Sequence, residues 1–243
     1  MQKQNWDEFR HVLDALEATW PAAQKQDIGP WIIRNGKGGG KRVSAATPKQ
    51  GWRVADIPQA EDAMQAFDQN PLFMITPADQ DLDNALMEAG YEVIDPVNIY
   101  ATPIELLTHD RPPKISMFSV WPPLAIQQDI WANAGINDAR LDIMKRVTSP
   151  KTTILARWND HLAGVGFAAT HGVEAYVHAV EIRAHQRKQG VASWLMKQAA
   201  FWAREQGAVR LNVACTKANE GANALYRSIG MQVVGEYHYR VKG

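Results

Sequence analysis

Between residues 31 and 100 the apolar positions fall into short blocks punctuated by Gly, Pro and Asn. Trp31-Ile-Ile-Arg34 and Arg42-Val-Ser-Ala-Ala46 read as strands joined by the turn Asn35-Gly-Lys-Gly-Gly-Gly40. Ala60, Ala63, Met64 and Phe67 recur at helical spacing, and Leu72-Phe-Met-Ile75 is a compact apolar run. Leu82, Leu86 and Met87 mark a second helix stopped by Gly90, and a strand from Tyr91 to Tyr100 closes the order β-β-α-β-α-β. Pro-Pro pairs at Pro112-Pro113 and Pro122-Pro123 predict an extended linker over 108–123. This divides the chain into a smaller N-terminal α/β domain, 1–112, and a C-terminal domain, 113–243.

Beyond the linker, helices over Leu124–Asn133 and Asp138–Val147 precede three strand-like runs, Thr152–Trp158, Leu162–Thr170 and Glu174–Ile182. Turns at Asn159-Asp160-His161 and His171-Gly172 make these an antiparallel meander. Val191, Trp194, Leu195, Ala199 and Trp202 then recur at helical spacing up to Gly207, and Val209–Val213 alternates as a strand. A helix with Ala222, Leu225, Tyr226 and Ile229 on one face ends at Gly230, and strands run from Met231 to Val241. The expected class is α/β (α+β), a mixed central sheet flanked by helices. The halves echo each other: Asn84-Ala-Leu-Met87 with Gly90-Tyr91-Glu-Val-Ile matches Asn223-Ala-Leu-Tyr226 with Gly230-Met231-Gln-Val-Val, as a duplicated unit would.

The chain has 243 residues, with 26 Lys+Arg balanced by 26 Asp+Glu. Zero net charge offers no general attraction to nucleic acid or anionic membranes. No apolar run approaches the roughly 18 residues of a membrane span. The lone Cys215 suits a reducing compartment, and the start MQKQNWDEFR lacks a signal-peptide pattern, so a cytoplasmic location is expected. Seven His with no HxxxH pair and a single Cys argue against a metal site. Trp is unusually frequent, 9 against 6 Tyr and 6 Phe.

The segment with chemistry is Val180-Glu-Ile-Arg-Ala-His-Gln-Arg187-Lys188-Gln189-Gly190-Val191-Ala192-Ser193. An apolar strand ends, a basic turn follows, and Gly190 opens an amphipathic helix. Such a helix start presents free N–H groups and a positive dipole end, a site for anions. By contrast, Gly36-Lys-Gly-Gly-Gly40-Lys41-Arg42 fails the nucleotide-loop pattern, because Asn35 replaces its first Gly and Arg42 its Ser or Thr. It reads as a hairpin turn.

Arg187-x-x-Gly190-x-Ala192 between a strand and a helix, followed by Asn219-x-x-Ala222-x-x-Leu225-Tyr226-x-x-x-Gly230-Met231, resembles the two signatures of the GNAT superfamily of N-acyltransferases. The resemblance covers the C-terminal half. The N-terminal half lacks the loop and has Met87 at the place of Tyr226, so it resembles a degenerate copy that would shape the acceptor pocket. The family likeness implies acetyl-CoA as acyl donor and no metal. Pantetheine would lie along Val180 and Ile182, pyrophosphate on N–H groups of Lys188, Gln189, Gly190, Val191, Ala192 and Ser193 beside Arg187, and the thioester end near Asn219, Ala222 and Tyr226.

An alkylamine is mostly ammonium at neutral pH and attacks only when neutral, so a base is needed, and a departing thiolate benefits from an acid. Tyr226 is the candidate acid. For the base, Ala214 stands where some members of the family carry Glu, leaving His178 and Glu181. If the strand alternates without a bulge, these two point to opposite faces. The expected activity is transfer of acetyl to a primary amine of a small molecule by direct attack in a ternary complex. The alternatives are a catalytically silent acyl-CoA-binding module and a protein N-terminal or lysine acetyltransferase. Acyl-CoA and the amine acceptor are the expected partners, and the sequence leaves a homodimer open.

Overall fold

The computed structural model describes residues 6–242. In chain order the elements are α1 (Trp6–Thr19), β1 (Gln24–Ile28), β2 (Trp31–Asn35), β3 (Thr47–Pro48), α2 (Ile57–Gln65), β4 (Leu72–Ile75), α3 (Gln80–Glu88), β5 (Tyr91–Pro103) and β6 (Met117–Val120). They continue with α4 (Ala125–Asn133), α5 (Asp138–Arg146), β7 (Lys151–Trp158), β8 (His161–His171), β9 (Glu174–Ile182), α6 (Val191–Glu205), β10 (Arg210–Thr216), α7 (Glu220–Ser228) and β11 (Gln232–Lys242). Three departures from the sequence expectation matter. Residues 42–46 do not form a strand: Lys41–Val43 is a single 3-10 turn, so the glycine loop before it is no hairpin turn. The segment 108–123 contains β6, which pairs with β7. The final strands are one long β11 with two register shifts.

Eight strands form one mixed sheet in the order β4-β11-β5-β10-β9-β8-β7-β6, beside a small antiparallel sheet β1-β2-β3. Every pair in the large sheet is antiparallel except β9 and β10, which helix α6 joins by a crossover. The position expected to divide two domains lies between strands of this one sheet. Strand β5 from the first half is hydrogen-bonded to β10 on one side and β11 on the other.

The topology has an internal two-fold pattern. In β4-α3-β5 and again in β10-α7-β11 a strand leads through a helix to a second strand, and that second strand pairs with the first strand of the opposite unit. Both helices end on a glycine with left-handed backbone, Gly90 at φ 83° and Gly230 at φ 85°, a conformation that costs glycine little.

Helix α6 lies against one face through Val191, Leu195, Met196, Ala199, Ala200 and Ala203, all buried with Ile154, Ala168 and Leu211. Gly166 admits this approach, since a Cβ there would come 2.9 Å from Leu195 Cδ2. Tyr226 and Met231 join the same core. On the opposite face α4 and α5 bring Ile130, Trp131, Ile143 and Met144 against Val165 and Phe167. Helix α1 packs Phe9, Val12 and Leu16 on Tyr176, Tyr237, Tyr239 and Ile99. Full burial of each such side chain contributes about 1.5–3 kcal/mol. Among the described residues no helix is long and apolar enough to cross a membrane.

Candidate active site

The cleft originates in a break between parallel strands. β9 and β10 pair from Glu174 with Arg210 to Val177 with Val213, and beyond that point the strands separate. The cause is a bulge: Val165 faces Glu181 and Phe167 faces His178, so three residues of β9 span what two of β8 span, with Ala179 at φ 49°. Gly164 allows the distortion, because a Cβ there would lie 2.6 Å from the Glu181 carbonyl. Trp131 Nε1–H donates to the Ala179 carbonyl at 2.8 Å and fixes the bulged residue. The extra residue resets the alternation, so His178 and Glu181 stand on the same face rather than on opposite ones.

The resulting cleft has a volume of about 970 Å³. Val180, Ile182, Arg187, Lys188, Gly190, Val191, Ala192 and Ser193 line one end, with Asn219, Ala222 and Tyr226 nearby. Gln189 is turned away, donating to the His185 carbonyl and accepting from Asn159. The first bond of α6 is Trp194 N–H to the Gly190 carbonyl, 3.1 Å, and the amides before it have no partner within the helix. Gly190 is left-handed at φ 79°, and a Cβ there would meet nothing within 4 Å. The backbone is therefore open to a ligand, a fit to a phosphate chain. Arg187 bonds the Ile182 carbonyl at 2.9 Å and pairs with Glu181 at 3.0 Å, clamping the loop to the end of β9.

Tyr226 is buried on α7, 5.5 Å from the Tyr100 ring. Burial, then the neighbouring Cys215 and Tyr100, raise its phenol above the ordinary range, so it keeps its proton at neutral pH. Burial pushes the Cys215 thiol up to about 11, which makes it a poor nucleophile. Asn219 caps α7 by accepting from the Ala222 N–H at 3.1 Å. Asn223, which sequence reasoning missed, receives Tyr100 Oη–H at 2.8 Å and Asn98 at 3.0 Å, and donates to the Thr216 and Asn219 carbonyls. It ties α7 to β5 and β10.

His178 is buried between aromatic rings, parallel to Tyr176 at 5.4 Å and against Trp20 at 4.9 Å. Thr19 Oγ1 donates to the Ala15 carbonyl, so it accepts from His178 Nε2–H at 2.9 Å. Nδ1 then accepts from Arg42 Nη1 at 3.3 Å. Burial first, and Arg42 second, hold this imidazole well below its ordinary pKa. The unfolded chain protonates the ring near about 6.5 and the folded chain only at lower pH. The neutral ring's contribution to stability is thus complete above that value and is lost as pH falls toward the folded pKa, by up to about 1.4 kcal/mol per pH unit. Urea midpoints should fall on acidification from about pH 7 to about pH 5, and His178→Gln should flatten that decline. An unchanged slope would place the proton uptake elsewhere.

The far wall comes from the N-terminal half: Trp20, the loop Gly39–Arg42, Asp95 and Val97, with Tyr237 and Tyr239 of β11. Trp20 accounts for one of the many tryptophans, whereas Trp31 and Trp52 pack on each other in a separate core. Arg42 carried no signal in the sequence beyond its place in a glycine-rich loop. Among the described residues no cluster of three His, Cys, Asp or Glu could hold a metal ion.

Residues 117–231 match the model of the Acetyltransferase (GNAT) family. The chain is 26% identical over 255 residues to the uncharacterized N-acetyltransferase YobR of Bacillus subtilis, spanning 97% of this chain and 99% of that protein. Its fold is that of a GCN5-related N-acetyltransferase from Kribbella flavida, with a TM-score of 0.67 at 17% identity over 96% of this chain and 94% of that one. A tandem GNAT protein from the clavulanic acid biosynthesis pathway gives 0.59 at 13% identity, covering 81% and 74%. The separated strands and the open loop at the start of α6 both lie within residues 117–231, the segment that matches the GNAT acetyltransferase family.

Proposed function

We propose that the protein transfers an acetyl group from acetyl-CoA to a primary amine of a small molecule, by direct attack with both substrates bound. The observation that carries this reading is the continuous cleft running from the N-terminus of α6, through the gap between β9 and β10, to a wall built by the N-terminal half. A donor's phosphates fit at Lys188–Ser193 and Arg187, and its arm alongside Val180 and Ile182, whose backbone has no partner in β10. When bound, acetyl-CoA supplies an activated thioester carbonyl. Tyr226 holds a proton at its phenol oxygen, ready for the departing sulfur.

Glu181 is the base in this reading. It lines the cleft, and its pair with Arg187 is open to solvent on the arginine side, where ion pairing is weak. His178 is a poor choice, because both ring nitrogens are engaged and a second proton would put a cation against the Arg42 guanidinium. We read residues 1–112 as a degenerate copy of the same unit as 113–243, supported by the repeated strand-helix-strand order and the paired Gly90 and Gly230. A walled acceptor end favours a small amine over a protein tail. The test is release of free CoA from acetyl-CoA across a panel of amines. Wild type should turn over, and Gly190→Glu, which places a carboxylate where phosphate fits, should weaken acetyl-CoA binding at least roughly tenfold by like-charge repulsion. Acetyl-CoA binding with no release for any amine would leave a silent binding module.

A further inference from the structure

We infer that the acceptor is an amine that also carries a carboxylate, and that Arg42 binds that carboxylate; this rests on the acyltransferase reading above. The case begins with charge balance in the cleft. Lys41 is neutralised by Asp95 at 2.7 Å, and Arg187 by Glu181 at 3.0 Å. Arg42 lines the same cleft, and among the described residues no carboxylate lies within ion-pair distance of it. Its contacts are neutral: Tyr237 Oη at 3.3 Å from Nε, the Nδ1 of His178 at 3.3 Å from Nη1, and the hydroxyl of Tyr239.

A guanidinium remains charged at every accessible pH and carries five N–H donors in a planar fork. Withdrawing such a group from water without an anion costs several kcal/mol, so half-buried arginines normally have an acid beside them. Arg34 shows the ordinary solution in this molecule, held by both oxygens of Glu17. Arg42 departs from it in a cleft where a ligand can bring the missing charge. The 3-10 turn Lys41–Val43 and the left-handed Gly40 before it, at φ 102°, present the side chain to the cleft. Arg140 lines the same wall, its Nη2 3.5 Å from where a Cβ on Gly40 would sit, and it too has no acidic partner among the described residues.

The direction of binding follows. Arg42 lies beside His178 in the cleft that Glu181 and Tyr226 also line, so the carboxylate sits against Arg42 and the amine points toward Glu181 and Tyr226. A guanidinium facing a carboxylate makes two parallel charge-assisted bonds, which fix orientation as well as affinity. An amide or a decarboxylated amine of the same shape leaves Arg42 unpaired again, and sites built on buried polar groups discriminate strongly against the analogue that lacks the partner.

Matched pairs test this: free amino acids against their carboxamides, with acetyl-CoA as donor and kcat/KM from CoA release, on the full chain. We expect the acid member to be favoured by roughly 30-fold or more, and Arg42→Met to erase that preference, read as the ratio of kcat/KM for acid and amide, while leaving the affinity for acetyl-CoA near wild type. Arg42→Lys, which keeps the charge, should retain part of the preference. Equal use of acids and amides by wild type, or a preference surviving in Arg42→Met, overturns the inference while the transferase reading stands. A binding arm separates the two ideas. N-acetyl amino acids titrated into the CoA-loaded protein should bind wild type and not Arg42→Met. That result without turnover of any amine would refute the transferase reading and keep the carboxylate site, and no binding with no turnover would refute both.

Discussion

Replacing Tyr226 with Phe is expected to lower kcat by roughly 10 to 10⁴-fold, with acetyl-CoA affinity and thermal stability close to wild type. The substitution removes one oxygen and keeps the ring, which is what packs against Tyr100 and the core shared with α6. The phenol is the only part of the side chain with chemistry to offer. In the proposed reaction its raised pKa keeps the phenol protonated and able to give that proton to a leaving sulfur, and burial makes the Cys215 thiol a poor nucleophile. The lower bound lies beneath the usual range for general acid catalysis because a CoA thiolate is already a fair leaving group. Steady-state kinetics with a saturating amine would show the loss in kcat, and an unaltered kcat would remove Tyr226 from the mechanism.

The larger structural effect is expected from a cut. Residues 113–243 made alone should show no cooperative unfolding transition, although they contain the whole segment that matches the family model. Strand β11 has β4 and β5 as its strand partners, both from the first half, so the cut leaves it with none. It also strips one edge of β10 and uncovers Tyr176, Tyr237 and Tyr239, which α1 and β5 bury. At about 1.5–3 kcal/mol per buried side chain, losing Phe9, Val12, Leu16, Ile99 and Tyr100 from these cores outweighs much of the 5–15 kcal/mol that holds an ordinary domain together. Calorimetry or dispersed amide spectra would decide; a sharp transition in the isolated segment would show that the second half stands by itself.

The elements of the C-terminal half were readable because their periodicities are clean: Glu174–Ile182 was expected as a strand and is one, to the residue. The start of α6 at Gly190 was readable because a glycine after a polar turn and before an amphipathic run marks a helix opening. Helix α1 and strand β1 were not foreseen, and α1 decides the environment of His178 through Thr19 and Trp20. Other features were hidden because they are non-local. The bulge at Ala179 depends on Gly164 across the strand and on Trp131 from α4, neither of which marks β9 in its own sequence. The pairing of β5 between β10 and β11 is invisible to local pattern, because both halves have the apolar alternation of an ordinary strand. Arg42 is likewise marked by its folded surroundings, in which no acid stands beside it among the described residues, and not by its neighbours in sequence.

The exchanged strands also govern how the chain can fold as it is made. Strand β5 emerges with both edges bare, and β11, which must lie against it, is synthesised more than a hundred residues later. Pairings this distant in sequence form slowly. Meanwhile β5 is a free template for strands of other nascent chains, the standard hazard of an unpaired edge. Its sequence has an answer in Glu92 and Asp95-Pro96, a charge, then a second charge kinked at φ 44° before a residue with no N–H to offer. In the finished sheet this interruption sits at the register shift opposite Tyr237–Tyr239 and looks like a flaw in the ladder. A charge and a proline inside an unpaired strand are the kind of interruption that opposes edge-to-edge self-association.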